Sequence, residues 1–252
     1  MHDEIAHLIA GMRTQPGYVS RRIGMRDYHC GVNHGQACVV VLARLGKVAA
    51  AVTAVTLIRE FGVDEIVFTG LAGGLAATAR VGDVVIGSSL VQHDMDARPF
   101  FARHEVPLLG LAEFPSDAGL CSELAQAAMV FLKAELHHSV AASTLAGFGI
   151  VEPALHRGLI LSGDQFIGDP AESAQLRQRF PEALAVEMEG AAVAQVCHEH
   201  GVPQVVLRTI SDRADATAHG DFAGFLCDVA SHYSHGILHR FFAARREQAA
   251  NG

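Results

Sequence analysis

What most restricts this chain is the way short, almost wholly apolar runs alternate with helical ones. EIVFTG (65–70), GLILSGDQF (158–166), ALAVEM (183–188) and PQVVLRTISD (203–212) place aliphatic and β-branched residues at consecutive positions. A strand with one wet face shows polar residues at every second position, so runs like these belong to strands covered on both faces. DVVIGSSLVQHD (83–94) supplies a further strand. Between the strands lie segments of helical period. These are KVAAAVTAVTLIREFG (47–62), closed by its glycine, GLCSELAQAAMVFLKAEL (119–136), ESAQLRQRF (172–180) and EGAAVAQVCHEHG (189–201), with a long helix from about Phe222 to finish. That order predicts an α/β fold of one domain, with a central mixed, mostly parallel sheet between helices in a three-layer sandwich. Only the early stretch RRIGMRDYHCGVNHGQACVVVLAR (21–44) departs from it, predicting an antiparallel hairpin around Gly31–Gly35.

A chain of 252 residues buries roughly 70–75% of its unfolded surface and needs no covalent staples. Five scattered cysteines without a CxxC pair argue against a disulfide framework or a structural zinc site. A net charge of −8 with no basic block argues against nucleic acid as a partner. No apolar run approaches the ~20 residues that span a bilayer, and the start, MHDEIAHLIAGMR, lacks a signal-peptide pattern. The expectation is a soluble, cytoplasmic protein without a membrane partner. Cys197-His198-Glu199-His200 looks superficially like a metal-ligand set, but its place before Gly201 suits cations at a helix C-terminus. Arg245-Arg246 is expected in a solvated polar tail, with 246–252 beyond the fold.

In open α/β sheets, ligands gather at the carboxyl ends of the strands. Here those ends carry Gly70-Leu71-Ala72-Gly73-Gly74, Gly163-Asp164-Gln165-Phe166, Glu187-Met188-Glu189 and Ser211-Asp212. The glycine segment reads as a loop open to close backbone approach, though its spacing is not that of a dinucleotide fingerprint. Glu189 alone could be an acid at a helix start, and Asp212 with Asp215 a simple turn. Glu187 should still lie on the strand, where an unpaired buried carboxylate costs several kcal/mol. Together these ends describe a pocket.

VFTGLAGGLAATARVGDVVIGSSLVQHD, LILSGDQFIGD, ALAVEMEGAAVAQVCHEHGVPQVVLRTISDRAD and DFAGFL resemble the 5′-methylthioadenosine/S-adenosylhomocysteine nucleosidases of the purine nucleoside phosphorylase-like superfamily. The resemblance runs from about residue 40 to 230, and AVEMEG followed by RTISD is its most specific pairing. It implies hydrolysis of the N-glycosidic bond of 5′-modified adenosines, with no metal or organic cofactor. It implies Asp212 as the general acid for the purine N7, kept protonated by burial, and Arg208 beside the nucleophilic water. Glu189 would bind the ribose hydroxyls, Met188 the sugar face, and Glu187 would be a further acid beside the pocket. Phe166 would stack on adenine, the Ile167 backbone would read its edge, and Phe222 would wall the 5′ substituent. Ser211, Gly73 and Leu71 complete the expected lining. A homodimer is implied, with residues 98–108 near its interface and Phe100, Phe101 and Pro107 as candidates for contact or specificity.

The sequence also departs from that pattern. Met1-His2-Asp3-Glu4-Ile5 matches the end of the family's first motif, making Glu4 the candidate general base, while the strand that precedes this motif is missing. The expectation is a start assigned several residues late, with a gap of exposed backbone and apolar surface where that strand would run. Leu71 stands where a small polar residue is common, so Asp212 would be tuned through Ser211 or the backbone. Arg44 replaces a glycine and keeps an anion site, and hence phosphorolysis, among the alternatives. A non-catalytic nucleoside-binding protein is another, and a dinucleotide-dependent oxidoreductase a third.

Overall fold

In a computed structural model of the chain, residues 2–214 and 222–251 are described, with side chains for 5–214 and 222–249. Helix α1 (His2–Arg13) leads into β1 (Val19–Ile23), β2 (Arg26–Asn33) and β3 (Gln36–Val40), an antiparallel sheet of its own. The hairpin turn falls at His34-Gly35, both at positive φ (49° and 83°). Such a pair matches the twist of the strands that it joins.

Helix α2 (Lys47–Phe61) ends on Gly62 in the left-handed region (φ 61°) and delivers the chain to β4 (Ile66–Gly74). Then follow β5 (Val84–Gln92), β6 (Glu113–Pro115) and α3 (Ala118–Val130), which runs through a π turn (Phe131–Glu135) into α4 (Leu136–Ser139). After α5 (Ala142–Gly147) come β7 (Leu155–Ser162), α6 (Pro170–Arg179), β8 (Ala183–Glu187), α7 (Gly190–His200) and β9 (Gln204–Asp212). Helix α8 (Phe222–Phe225), a second π turn (Leu226–Ala230) and α9 (Ser231–Asn251) complete the chain.

The main sheet has the order β6-β5-β7-β8-β4-β9, and β9 pairs back onto β5. Long parallel ladders join β4 to β9 and β5 to β7, as the apolar runs predict. The β5–β9 closure, from Val84↔Thr209 to Gly87↔Val206, is antiparallel and bends the sheet into a barrel-like ring. The ring is a detail added to the three-layer α/β arrangement: strand twist accumulates until β9 at one end of the order meets β5, next to the other end. Val84, Ile86, Val205 and Leu207 pack with α3 and α9, whereas Val85, Ile160 and Val206 pack with α7.

Two sequence expectations are corrected. Leu71–Gly74 is not a loop; β4 runs through it to Gly74. Arg245 is not in a solvated tail, because α9 continues to Asn251 and Arg245 pairs with Glu65 and Glu123 (2.6 Å to the latter), its guanidinium over Phe241.

One edge of β4 is open. Ile66–Ala72 pair with β9 on one side, while β8 reaches β4 only at Gly73 and Gly74. Among the described residues, a cavity of about 1620 Å³ is lined by Ile66–Gly73 of β4 together with Val39–Leu45 and with Ile5 and Leu8 of α1.

Candidate active site

Two acids placed two residues apart meet different surroundings. Glu187 ends β8 and is buried. Its carboxylate accepts from Arg208 Nε (3.1 Å) and Nη2 (2.5 Å), the Gly190 N–H (2.9 Å), the Glu189 N–H (3.1 Å) and the Ser162 hydroxyl. Arg208 rises from the middle of β9, 1% exposed, with its guanidinium 4.3 Å from the Phe68 ring centre. A buried ion pair survives only when both ends are satisfied, and this one is. Glu187 lines the cavity, yet its oxygens are already committed to holding β8, α7 and β9 together.

Glu189 takes the N-cap position of α7 and is 8% exposed. Its Oε1 accepts the Gly46 N–H at 2.8 Å, and Oε2 lies 3.8 Å from Arg208 Nη2. Burial, and next the charge of Glu187, push its carboxyl up to about 7, against the pull of Arg208 and of the Gly46 and Met188 N–H groups. Arg208 is the strongest of the influences that favour the charged form of Glu189, but it also serves Glu187 and does not offset burial. The outcome is a carboxyl balanced between its two forms near neutral pH.

Asp212 closes β9. Ser211 Oγ donates to its Oδ2 (2.8 Å) and the Ala214 N–H to its Oδ1 (2.8 Å). Leu71, which cannot hydrogen-bond, packs against the main core, so Ser211 and the backbone supply the contacts. The bare backbone of β4 is used by the protein itself. A Cβ on Gly70 would stand 3.0 Å from Arg208 Nη1, and one on Gly73 3.0 Å from Asp212 Oδ1 and 2.9 Å from the Ala214 Cβ.

Asp212, Ser211, Glu189, Met188, Glu187, Arg208, Phe166, Phe222, Gly73 and Leu71 all line this cavity. Ile167 is buried beside it, lining a small annex with Phe166 and Asp212. Phe166 is half-exposed at the mouth. Glu4 lies in α1 by its backbone, but its side chain is outside the described residues, as is all of Asp215. Arg44, at φ 69°, lines the cavity and donates to the Met25 carbonyl (2.5 Å). Phe100, Phe101 and Pro107 are not part of this lining, and Phe100 is 87% exposed. Gly46 and Ser162 escaped the sequence reading, since each acts on an acid far along the chain and neither carries a distinctive motif. Among the described residues no cluster of His, Cys, Asp or Glu is placed to hold a metal ion.

A profile of the phosphorylase superfamily matches residues 1–243. The 5′-methylthioadenosine/S-adenosylhomocysteine nucleosidase of Shewanella putrefaciens is 35% identical over 232 residues, 92% of this chain and 91% of that protein. The nucleosidase of the same name from Neisseria meningitidis, solved with methylthio-immucillin-A, superposes with a TM-score of 0.83 at 35% identity, covering 97% of this chain and 96% of that one. A futalosine hydrolase mutant of Helicobacter pylori superposes with a TM-score of 0.76 at 30% identity, covering 95% and 94%. The chain belongs to the phosphorylase superfamily and, within it, to the family of 5′-methylthioadenosine/S-adenosylhomocysteine nucleosidases.

Proposed function

We propose that the protein hydrolyses the N-glycosidic bond of 5′-modified adenosines such as methylthioadenosine and S-adenosylhomocysteine, releasing adenine. The observation that carries this reading is the convergence of Asp212, Glu189, Met188 and Phe166 on one cavity, with Glu187 and Arg208 locked behind them. Cleavage leaves an electron-poor, oxocarbenium-like sugar and an electron-rich base. Asp212, held by Ser211 and Ala214, is the acid for N7 of the leaving purine. Glu189 receives the ribose hydroxyls, whose hydrogen bonds strengthen as positive charge grows on the ring. Phe166 and the Ile167 backbone hold the base, Met188 the sugar, and Phe222 the 5′ group. Glu4 is the general base for the attacking water, which Arg208 helps to hold.

Hydrolysis is favoured over phosphorolysis by the state of the arginines that line the cavity. Arg44 donates to Met25, Arg208 to Glu187, and Arg245 to Glu65 and Glu123. A phosphate dianion would have to displace a carboxylate to pair with Arg208 or Arg245, whereas Arg44, which donates to a neutral carbonyl, keeps N–H donors to spare. Adenine release from methylthioadenosine, measured with and without phosphate, tests the reading; strict phosphate dependence would replace it with a phosphorylase. Asp212→Asn should lose turnover by about 10²-fold or more while adenine still binds. Wild-type turnover in that variant would remove Asp212 as the acid.

The proposed working form is a cytoplasmic homodimer. Val48, Val52 and Val55 form an exposed apolar stripe along α2, Leu45 just before the helix is exposed too, and Phe100 and Leu108 are 87% and 93% exposed. A surface of that kind is the usual mark of a protein contact. Among the described residues no helix is long and apolar enough to cross a membrane.

A further inference from the structure

The Gly46 N–H that holds Glu189 stands at the amino end of α2, an end with no cap from its own sequence. Gly46 is the N-cap residue and has no side chain to offer. The first helical N–H, that of Lys47, is instead taken by Asp164 Oδ1 (2.8 Å), which arrives from the loop after β7. Asp164 is held in turn: its own N–H donates to Asp94 Oδ2 (2.9 Å), beyond the end of β5. Asp94 Oδ1 then returns to the helix, accepting from Lys47 Nζ at 2.7 Å. The three residues thus form a closed ring, Lys47 to Asp164 to Asp94 and back.

The ring is anchored and tight. Lys47 Nζ also donates to Gln92 Oε1 (3.1 Å), and Gln92 donates to Gln195 on α7, the helix that Glu189 caps (2.7 Å). A Cβ on Gly46 would meet Asp164 Oδ1 at 3.1 Å, so the helix end is seated against the ring with no slack. The Lys47 and Asp94 side chains are only 16% and 23% exposed, so their pairing is poorly screened. For Asp94, burial pushes its carboxyl up, but the Lys47 ammonium and the Asp164 N–H outweigh it and hold the acid in its charged form.

We propose that Asp94 and Lys47 are positioning residues for nucleoside binding: through Asp164 they fix the amino end of α2 so that the Gly46 N–H occupies Oε1 of Glu189 and leaves Oε2 for the sugar. This rests on the assignment of Glu189 to the ribose hydroxyls. Two strand ends, those of β5 and β7, and one helix end meet in the ring, so a single side-chain change would release the loop that carries Gly46. Released, Glu189 would lose its one neutral donor from outside its own turn. It would then face Glu187, with Arg208 already paired, and its carboxylate would become harder to form.

The test uses formycin A, an adenosine isostere with a carbon–carbon glycosidic bond, and free adenine, titrated calorimetrically into the full-length wild type, Asp94→Ala, Lys47→Met, the double variant and Lys47→Arg. The expected result is a loss of about tenfold in formycin A affinity at pH 7 for each single variant, with adenine affinity within about twofold of wild type. The double variant should lose no more than either single one, since both break the same ring, and Lys47→Arg should recover part of the loss. The pH at which formycin A binding falls to half should also move upward in Asp94→Ala. Equal weakening of both ligands, or no weakening of either, would overturn the proposal and leave the ring a matter of stability alone. A wild-type chain that binds adenine but not formycin A would sink the nucleosidase reading itself.

Discussion

Replacing Glu189 with glutamine should make the protein more stable and less active, and the stability gain should depend on pH in a way the site dictates. The side chain keeps its shape and its acceptor for the Gly46 N–H, but it can no longer ionise. In the wild type the folded carboxyl sits at about 7 against an ordinary value of 4.5. Between those values the folded protein holds a proton that the unfolded chain has released, so stability falls as pH rises. The contribution is full below the unfolded value and gone above the folded one. Each pH unit in that window is worth about 1.4 kcal/mol, giving on the order of 3 kcal/mol across it.

For a chain of this size 1 kcal/mol moves Tm by about 2–4 °C. Melting curves taken from pH 4.5 to 8.5 should therefore show Glu189→Gln gaining roughly 6–12 °C on the wild type over that span, before any constant offset. The gap should open between pH 5 and 7 and be flat above 8. Parallel curves for the two proteins would refute the reasoning, because they would mean that Glu189 titrates alike in the folded and unfolded chains. Weaker nucleoside binding in the same variant would mark a residue kept for chemistry at a cost in stability.

Arg208→Met should destabilise by about 3–5 kcal/mol, because it leaves the Glu187 carboxylate buried without its cation; denaturant melts should show most of that loss relieved by adding Glu187→Gln. Gly73→Ala should cost about 1–3 kcal/mol and most of the activity, since the new methyl group would displace Asp212 and Ala214. A Gly73→Ala enzyme with normal turnover would show that the Asp212 position is not critical.

The strands and helices were legible because burial on both faces leaves a continuous apolar run, which the chain repeats. The pocket was legible because strand ends carry its acids. Spacing put Glu187 on the strand and Glu189 at the helix start, but not their electrostatic fates, which depend on Arg208, twenty-one residues beyond Glu187, and on Gly46, 143 residues before Glu189. The strand nature of Leu71–Gly74 was hidden for a related reason. Glycine disfavours strands by itself, and it is distant groups, Asp212 and Ala214 against Gly73 and Ala79 and Ile210 against Gly74, that explain why nothing larger fits. The β5–β9 closure and the anchoring of Arg245 likewise reside in long-range pairing rather than in any local pattern.

β4 is the floor of the site and also, from Ile66 to Ala72, a sheet edge facing the cavity. Successive residues of a strand direct their amides to opposite sides, so alternate N–H groups of β4 face the cavity and the others face β9. The two sets should exchange with solvent deuterium on separate clocks. Those shared with β9 wait for the sheet to open, whereas those facing the cavity answer to its hydration. The innermost strand thus serves as a built-in occupancy gauge: whatever fills the cavity, a nucleoside or an added length of backbone, should register as slowed exchange at every second residue.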